Sequence, residues 1–494
     1  MKIVDEAARE RAVARCRERL VVIPTFAQQR DPSTADAAVR EALLEIDMQA
    51  ADPLNLFRIT WRNDTRSGGF GEVNAIEIPP ELSGVRARIV GLVGERFPTG
   101  AHKVGAAFGC LVPRLVSGEF DPTAHRAVWP STGNYCRGGV FDSVLLGCST
   151  LAILPEEMSR ERFEWLESMG AEIIATPGCE SNVKEIFDAC WEIRRTRPEA
   201  VIFNQFDEFG NYLWHYGVTG PAVQAAFDGL AGPADRLAAW VSATGSAGTL
   251  AAGDFLKQGH PGLRITAAEA LQCPTLLRAG FGGHRIEGIG DKHVPWIHNV
   301  RNTDFVAAID DEATMRLLRL FNEPAGRELL LSRGIPSAAV DSLPLLGISS
   351  IGNLIAAIKT ARWFDMDEHD VLFTSFTDSV SLYRTRLDEL RVERGEYDPV
   401  SAAVDLERRL LGTTTDHVRE LTYPDRKTIH NLKYFTWVEQ QGRTVDELDA
   451  LWSPGFWIDL QARIAEWDEA IDAFNDDTGA LAALRSRAAA RQHT

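Results

Sequence analysis

Short aliphatic runs alternate with amphipathic helical stretches through the middle of the chain, from about Ala87 onward. The runs cover residues 86–93, 126–134, 149–155, 171–177, 200–206, 237–245 and 264–270. Strands that alternate with helices form βαβ units, and successive units of this kind build a mostly parallel sheet. The pattern therefore predicts an α/β fold.

The stretch 161–178 shows this alternation most clearly. Phe163, Leu166 and Met169 recur at helical spacing and share one face, and Gly170 follows as a helix terminator before the next apolar run. This predicts one complete helix–strand unit.

A second unit closes the central region. Residues 370–376 form an apolar strand pattern, and Asp378 or Ser379 is placed to cap a helix over 381–391. We expect this strand to be the last one of the chain.

The two ends differ from the centre. Residues 1–50 are polar and helical in pattern, and 40–49 carry apolar positions at helical spacing. After about residue 395 the pattern predicts charged helices without strands, in which Thr444 and Glu447 form a capping box. This last region is rich in tryptophan, at Trp437, Trp452, Trp457 and Trp467. We expect it to pack against the protein's own core or against a subunit partner.

Length and composition limit the classes of function. A chain of 494 residues exceeds the size at which a single core stops growing, about 250 to 300 residues, so two or more lobes are expected. The formal charge of −18 disfavours a nucleic-acid partner. No apolar run reaches the roughly 18 residues of a membrane span, and the amino terminus lacks the apolar core of a signal peptide. We expect a cytoplasmic protein that binds neither membrane nor nucleic acid.

The seven cysteines are scattered and form no CxxC pair. No histidine pair with zinc-ligand spacing accompanies them. They are therefore interpreted as reduced thiols, and no metal site is predicted.

Lys103 lies between a small-residue turn and an apolar helical run, in the sequence PTGAHKVGAA at 98–107. Most lysines are solvated surface charges, and this one could be such a residue. A lysine that opens a buried helix, however, loses solvation, which lowers its pKa and favours the neutral amine that forms a Schiff base. The context favours this catalytic interpretation.

Two small-residue turns follow that could hold a cofactor. In the first, Ser131, Thr132 and Gly133 offer hydroxyls and backbone N–H groups to a substrate carboxylate, and Asn134 donates to a ring oxygen. An ordinary polar turn is the alternative. The second turn lies between a strand and a helix, so that its N–H groups can converge on an anion; it comprises Gly245, Ser246, Ala247, Gly248 and Thr249. With Lys103, the two turns could hold the ring and phosphate of pyridoxal phosphate.

These motifs, in this order, resemble the tryptophan synthase β-like (fold type II) group of pyridoxal-phosphate enzymes, in its cysteine synthase and cystathionine β-synthase branch. PTGAHK resembles the family's lysine motif, STGN its asparagine loop and GSAGT its phosphate loop. Residues 203–223 resemble the segment that closes over the substrate, with Gln205 positioned to touch it. Gly288 in EGIGDKHVP resembles the glycine turn beside the cofactor, GISSIGN at 347–353 resembles a helix start, and Ser379 stands where the family places its pyridine-nitrogen partner.

The resemblance, which covers about residues 85–390, implies a two-lobed, three-layer αβα fold with mostly parallel sheets. Residues 86–103 and 221–395 would form a large cofactor-binding lobe, and residues 104–220 a small mobile lobe. Residues 1–85 and 396–494 would be an N-terminal and a helical C-terminal extension. It also implies a homodimer.

The implied activity is β-replacement through an aminoacrylate on serine, O-acetylserine, O-phosphoserine or a related amino acid. A neutral Ser379 beside the pyridine nitrogen favours chemistry at the β-carbon over transamination. Two alternatives remain open: a β-eliminating ammonia-lyase or desulfhydrase that yields a keto acid, and a catalytically silent binding or regulatory homologue. The residues after Asn134 depart from the cysteine synthase pattern and could reshape the carboxylate pocket or supply a charge; they are Tyr135, Cys136 and Arg137.

Overall fold

The strands of the protein form two separate sheets in a computed structural model that describes residues 1–131, 133–179, 182–289 and 292–491. The strands are β1 (Ala75–Ile78), β2 (Arg88–Val93), β3 (Arg126–Pro130), β4 (Ser149–Pro155), β5 (Glu172–Thr176), β6 (Ala200–Ile202), β7 (Arg236–Ala243), β8 (Arg264–Ala270), β9 (Phe305–Ile309), β10 (Asp370–Phe376) and β11 (Val418–Glu420). The larger sheet has the order β1-β2-β10-β7-β8-β9-β11 and the smaller one β5-β4-β3-β6.

The larger sheet is parallel across its five inner strands, and each edge strand runs antiparallel to its neighbour. Every residue of β9 and β10 is buried. Burial on both faces is the normal condition of a parallel sheet, because the crossover helices cover both sides. The smaller sheet is parallel throughout. Its four strands fall within residues 104–220, the range predicted for the small lobe; the lobe boundaries stay a prediction.

The helices cover the two sheets and both chain ends. Those before the lysine motif are α1 (Glu6–Glu18), α2 (Phe26–Arg30), α3 (Ala37–Leu43) and α4 (Pro80–Ser83). The central ones are α5 (Lys103–Val116), α6 (Asn134–Leu145), α7 (Arg160–Ser168), α8 (Val183–Thr196), α9 (Phe209–Trp214), α10 (Gly220–Leu230), α11 (Ala251–Gly259), α12 (Thr275–Arg278), α13 (Asp311–Asn322), α14 (Pro324–Ser332), α15 (Ser337–Ser342), α16 (Ile348–Trp363) and α17 (Arg384–Arg394). The last ones are α18 (Pro399–Asp405), α19 (Tyr423–Asn431), α20 (Val445–Ala450), α21 (Pro454–Thr478) and α22 (Ala480–Arg491). Among the described residues, no helix is both long enough and apolar enough to span a bilayer.

Most local expectations are confirmed. Helix α7 ends before Gly170, whose φ is +72°, and β5 follows. Thr444 with Glu447 forms the capping box of α20. The helix expected over 381–391 begins only at Arg384, as α17 with Tyr383 as its N-cap, and Ser379 instead caps the short 3-10 helix Val380–Leu382 that precedes it.

Two expectations about the terminal regions are wrong, and two strands were not predicted. Strand β11 lies beyond residue 395 and pairs with β9, so strands do not stop there. The helix expected through 40–49 ends at Leu43. Strands β1 and β9 have no counterpart among the predicted runs, because β1 has only four residues and β9, which is buried along its whole length, shows no alternation.

Both terminal regions pack into the main apolar core. From the N-terminal region, Phe26 lies with its ring centre 6.0 Å from that of Phe108 in α5, and Trp61 lies 4.8 Å from Phe97. In the C-terminal region Trp437 and Trp457 are buried. The tryptophan-rich region therefore packs against the protein's own core, as one of the two expectations had it.

Candidate active site

Lys103 is the first residue of α5 and follows a strained turn. Thr99 and Gly100 both have positive φ, +68° and +71°. The rest of α5 is almost entirely buried, whereas Lys103 is half-buried. Its Nζ donates to Oε1 of Gln205 at 3.4 Å, and a Cβ placed on Gly245 would lie 3.8 Å from it. The amine therefore reaches both the segment after β6 and the predicted phosphate loop.

The asparagine loop links β3 to α6. Thr132 lies outside the described residues, whereas Ser131 and Asn134 are buried. Gly133 has φ 151° and ψ −81°, and a Cβ there would lie 2.2 Å from Nε of Arg162. Such a backbone conformation is strained for any residue with a side chain, so this position requires glycine.

Asn134 is held by a residue that the sequence interpretation did not connect with it. Its Nδ2 donates to Oδ2 of Asp378 at 2.6 Å, and its own Oδ1 is buried without a hydrogen-bond partner. Nδ2 carries a second proton. The predicted donation from Asn134 to the cofactor is therefore open to it and stays a prediction.

The phosphate loop lies at the carboxyl end of β7. Ala247 adopts the left-handed conformation, with φ +63°, and a short 3-10 turn, Gly248–Leu250, leads into α11. A Cβ on Gly245 would lie 3.0 Å from the carbonyl oxygen of Gly288, so these two glycines bring their backbones together. The hydroxyl of Thr249 lies 2.5 Å from that of Ser242 in β7. Small residues before a helix start form a cradle that suits a phosphate.

Gln205 connects three of the predicted elements. Besides accepting from Lys103, it donates through Nε2 to Ser131 Oγ at 3.2 Å. Its backbone oxygen accepts from Nδ2 of Asn211 at 3.0 Å, and the same Nδ2 lies 3.0 Å from Ser246 Oγ. Sequence reasoning missed Asn211. The available signal was an asparagine among aromatic and apolar residues; in the structure it lies buried in α9, where asparagine is disfavoured.

Ser379 follows the carboxyl end of β10. Its hydroxyl accepts from the backbone N–H of Ser381 at 3.4 Å and lies 2.7 Å from Ser381 Oγ. The backbone N–H of His102 donates to Thr377 oxygen at 3.4 Å, so this end of β10 adjoins the lysine turn. The role of Ser379 toward the pyridine nitrogen stays a prediction.

A buried charge network surrounds Asp378. Tyr383 donates to Asp378 Oδ2 at 2.7 Å, and Nη2 of Arg162 lies 3.8 Å from the same oxygen. Arg162 is also ion-paired with the buried Glu287. Burial raises the pKa of Asp378, against the opposing effects of Arg162 and of the hydrogen bonds from Asn134 and Tyr383. The network joins α7 to the region around β10 and was not foreseen from the sequence.

The three residues after Asn134 pack into the core around α6. The ring of Tyr135 lies 5.4 Å from that of Trp129, and Cys136 Sγ lies 2.9 Å from the backbone oxygen of Gly133. The guanidinium of Arg137 stacks over Trp165 at 4.8 Å. Burial raises the pKa of Cys136 to about 12 and lowers that of Arg137 to about 10. Cys136 is thus a thiol packed against the asparagine loop rather than a thiolate.

The residues present fit pyridoxal phosphate. Lys103 supplies an amine, the Gly245–Thr249 loop supplies the small-residue cradle, and Gly288, with φ +95°, closes on that loop. Two buried polar atoms without hydrogen-bond partners, Asn134 Oδ1 and Ser349 Oγ, belong to the asparagine loop and to α16. Ser349 Oγ would lie 3.5 Å from a Cβ placed on Gly288. Polar atoms left unsatisfied in a buried site are suited to a polar ligand.

Comparison with known proteins points the same way. A family model described as "Pyridoxal-phosphate dependent enzyme" matches residues 95–343, just over half of the chain. Cystathionine beta-synthase of Saccharomyces cerevisiae is 25% identical over 393 residues, which cover 77% of this chain and 74% of that protein. A probable cysteine synthase of Bacillus subtilis is 27% identical over 281 residues, 57% of this chain and 83% of that protein.

Solved structures show the same fold. A hydrogen sulfide-producing enzyme from Fusobacterium nucleatum superposes with a TM-score of 0.55 at 23% identity, over 67% of this chain and 92% of that chain. An O-acetylserine dependent cystathionine beta-synthase from Helicobacter pylori gives 0.53 at 21% identity, over 64% and 95%. The predicted α/β fold with mostly parallel sheets, of the tryptophan synthase β-like type, is confirmed. The chain therefore belongs to the family of pyridoxal-phosphate-dependent enzymes, and pyridoxal phosphate is its cofactor.

Proposed function

We propose that the protein catalyses β-replacement on serine, O-acetylserine, O-phosphoserine or a related amino acid. The observation that carries the proposal is the position of Lys103 Nζ, 3.4 Å from Gln205 and next to the Gly245–Thr249 loop. The similarity to a cysteine synthase and a cystathionine beta-synthase supports the same reaction class. When bound, pyridoxal phosphate supplies the electron sink that stabilises charge at Cα while the β-substituent departs.

The protein's residues then bind, orient and transfer a proton. Lys103 would hold the cofactor through its Nζ, and the same nitrogen, once free, would accept the Cα proton of the substrate and return it. Ser131 and Gln205 orient the substrate carboxylate and hold it beside that nitrogen. The backbone N–H groups of the Gly245–Thr249 loop fix the phosphate, and Asn134 and Ser379 orient the ring.

We also propose that the working unit is a homodimer located in the cytoplasm. Support for the dimer comes from the family resemblance and from large apolar side chains on the surface, such as Val392 at 89% and Val400 at 71% exposure. Light scattering coupled to size-exclusion chromatography tests the dimer. A mass of 54.5 kDa, that of one chain, would contradict it.

Substrate assays test the reaction. The purified protein, supplied with pyridoxal phosphate, is given serine, O-acetylserine, O-phosphoserine, cysteine or 2,3-diaminopropionate, each with and without sulfide or a second thiol. Replacement predicts that amino-acid consumption requires the nucleophile. Keto-acid release without a nucleophile would instead identify an eliminating lyase, and an absorption spectrum unchanged by every amino acid would identify a catalytically silent homologue.

A further inference from the structure

The position of Gln205 is set mainly by the loop that carries it, between β6 and α9, rather than by the contacts of its own side chain. The two contacts of the Gln205 carboxamide, 3.4 Å to Lys103 Nζ and 3.2 Å to Ser131 Oγ, lie at or beyond the long end of hydrogen-bond distances. Such contacts are weak. The position of the carboxamide must therefore be set by the backbone of the loop between β6 and α9.

Two acidic residues, two and three positions after Gln205, tie this loop to different parts of the protein. Glu208 accepts from Arg114 Nη2 at 2.6 Å, and Arg114 lies in α5, the helix that begins at Lys103. Asp207 accepts from Arg443 Nη2 at 3.0 Å. The first ion pair ties the loop to the lysine helix, whereas the second ties it to the C-terminal extension, which lies outside the matched family model.

Three contacts restrict the position of Arg443. Its backbone N–H donates to Trp437 oxygen at 2.9 Å, and its guanidinium lies 5.4 Å from the centre of the Trp296 ring. Glu447 lies 3.5 Å from its other terminal nitrogen. A guanidinium that stacks on an aromatic ring and pairs with carboxylates has few accessible side-chain conformations.

The extension reaches the same loop by a second route. Lys433 is fully buried and donates to the backbone oxygens of Trp296 and His298 at 2.8 and 2.7 Å. Between these two residues, the N–H of Ile297 donates to Phe206 oxygen at 3.3 Å. Phe206 directly follows Gln205, so both routes from the extension end within two residues of it.

We infer that Arg443 is a positioning residue of the active site, which acts through Asp207 to hold the Gln205 carboxamide against Lys103 and Ser131. This inference rests on the proposed function, because Gln205 is there taken to orient the substrate. The C-terminal extension is accordingly a working part of the catalytic unit.

The test is a double-mutant cycle in the full-length holoenzyme. Arg443→Gln and Asp207→Asn each remove the ion pair, and the double variant removes both partners. The matched control is Arg426→Gln, in the same extension, because Arg426 pairs with Asp304 at 2.8 Å, away from the Gln205 loop. Arg443→Lys keeps the charge and checks for rescue.

We expect each single variant to lower kcat/KM about tenfold, chiefly through KM, since a misplaced orienting group weakens substrate binding. The double variant should lose little more than either single one. Arg443→Lys should recover part of the loss, and Arg426→Gln should change kcat/KM less than twofold. Additive losses, or an equal loss in Arg426→Gln, would overturn the inference, because general loosening of the extension would then explain the effect.

Hydrogen–deuterium exchange provides a readout that does not depend on turnover. Backbone amides of residues 203–213 should exchange faster in Arg443→Gln than in Arg426→Gln. Unchanged exchange there would contradict the inference even if activity fell. If no amino acid is turned over by the unmodified protein, the proposed function fails, and exchange alone still decides whether Arg443 holds the loop.

Discussion

Gly133 gives the sharpest test of the active-site geometry. Replacing it with alanine places a methyl group 2.2 Å from Nε and 2.6 Å from Cδ of Arg162. Arg162 cannot easily move away, because it is 1% exposed and paired with Glu287, Ser159 and Tyr383. The backbone, at φ 151°, also disfavours any side chain.

The expected loss of stability has two parts. A strained backbone conformation costs about 1–3 kcal/mol, and overpacking of a well-packed site about 1–3 kcal/mol. The sum, about 2–6 kcal/mol, is a large fraction of the stability of a typical domain. Displacement of the asparagine loop will relieve part of this loss. The displacement also moves the neighbouring Asn134 and should therefore weaken cofactor binding.

The matched control is Gly170→Ala. Gly170 also has a positive φ, +72°, but a Cβ there would meet nothing within 4 Å. It therefore measures the cost of placing a side chain on a positive-φ backbone without a steric contact, about 1–2 kcal/mol. Urea unfolding, followed by tryptophan fluorescence and circular dichroism, measures the free energy of unfolding of both variants. Titration with pyridoxal phosphate measures whether displacement of the asparagine loop weakens cofactor binding.

Equal losses in the two variants would refute the reasoning, since the contact between Gly133 and Arg162 would then contribute nothing. Normal cofactor affinity in Gly133→Ala would show that Asn134 does not depend on this contact.

Three further predictions address Lys103, the hydrogen bonds of Asn211 and the pH dependence of stability. Lys103→Ala should abolish the absorption band of the lysine-bound cofactor and its covalent attachment to the chain after borohydride reduction, while the midpoint of urea unfolding changes little; a retained attachment would place the Schiff base elsewhere. Asn211→Ala leaves the backbone oxygen of Gln205 and the Ser246 hydroxyl without this donor, so we expect a loss of about 2–4 kcal/mol in unfolding free energy and about tenfold weaker cofactor binding in titrations. Burial would raise the pKa of Glu312, but hydrogen bonds from Arg394, Arg285 and Arg316 outweigh it and hold that pKa below the ordinary value of 4.5, so its stabilisation is present above pH 4.5 and is lost as the pH falls further. Unfolding curves should therefore separate Glu312→Gln from the unmodified protein fully at pH 7, and the separation should shrink progressively as the pH falls below 4.5; a separation that stays constant down to the lowest pH at which the protein remains folded would contradict the assignment.

The sequence by itself predicted the cofactor and the class of fold. The lysine turn, the asparagine loop and the phosphate loop could each be predicted from the sequence, because a small-residue turn after an apolar strand is recognised from residues that are neighbours along the chain. The alternation of strands and helices predicted the parallel sheets for the same reason, since periodicity depends on neighbours a few residues apart. Strand β9 was missed because five buried residues show no alternation.

Only the tertiary structure decided how these pieces support one another. The bond between Asn134 and Asp378 joins residues 244 positions apart, and that between Arg443 and Asp207 joins residues 236 positions apart. No local pattern specifies such pairs, because the free energy that selects them comes from burying polar groups together once the whole chain is folded. The same holds for β11, which lies in a region of helices and becomes a strand through its pairing with β9.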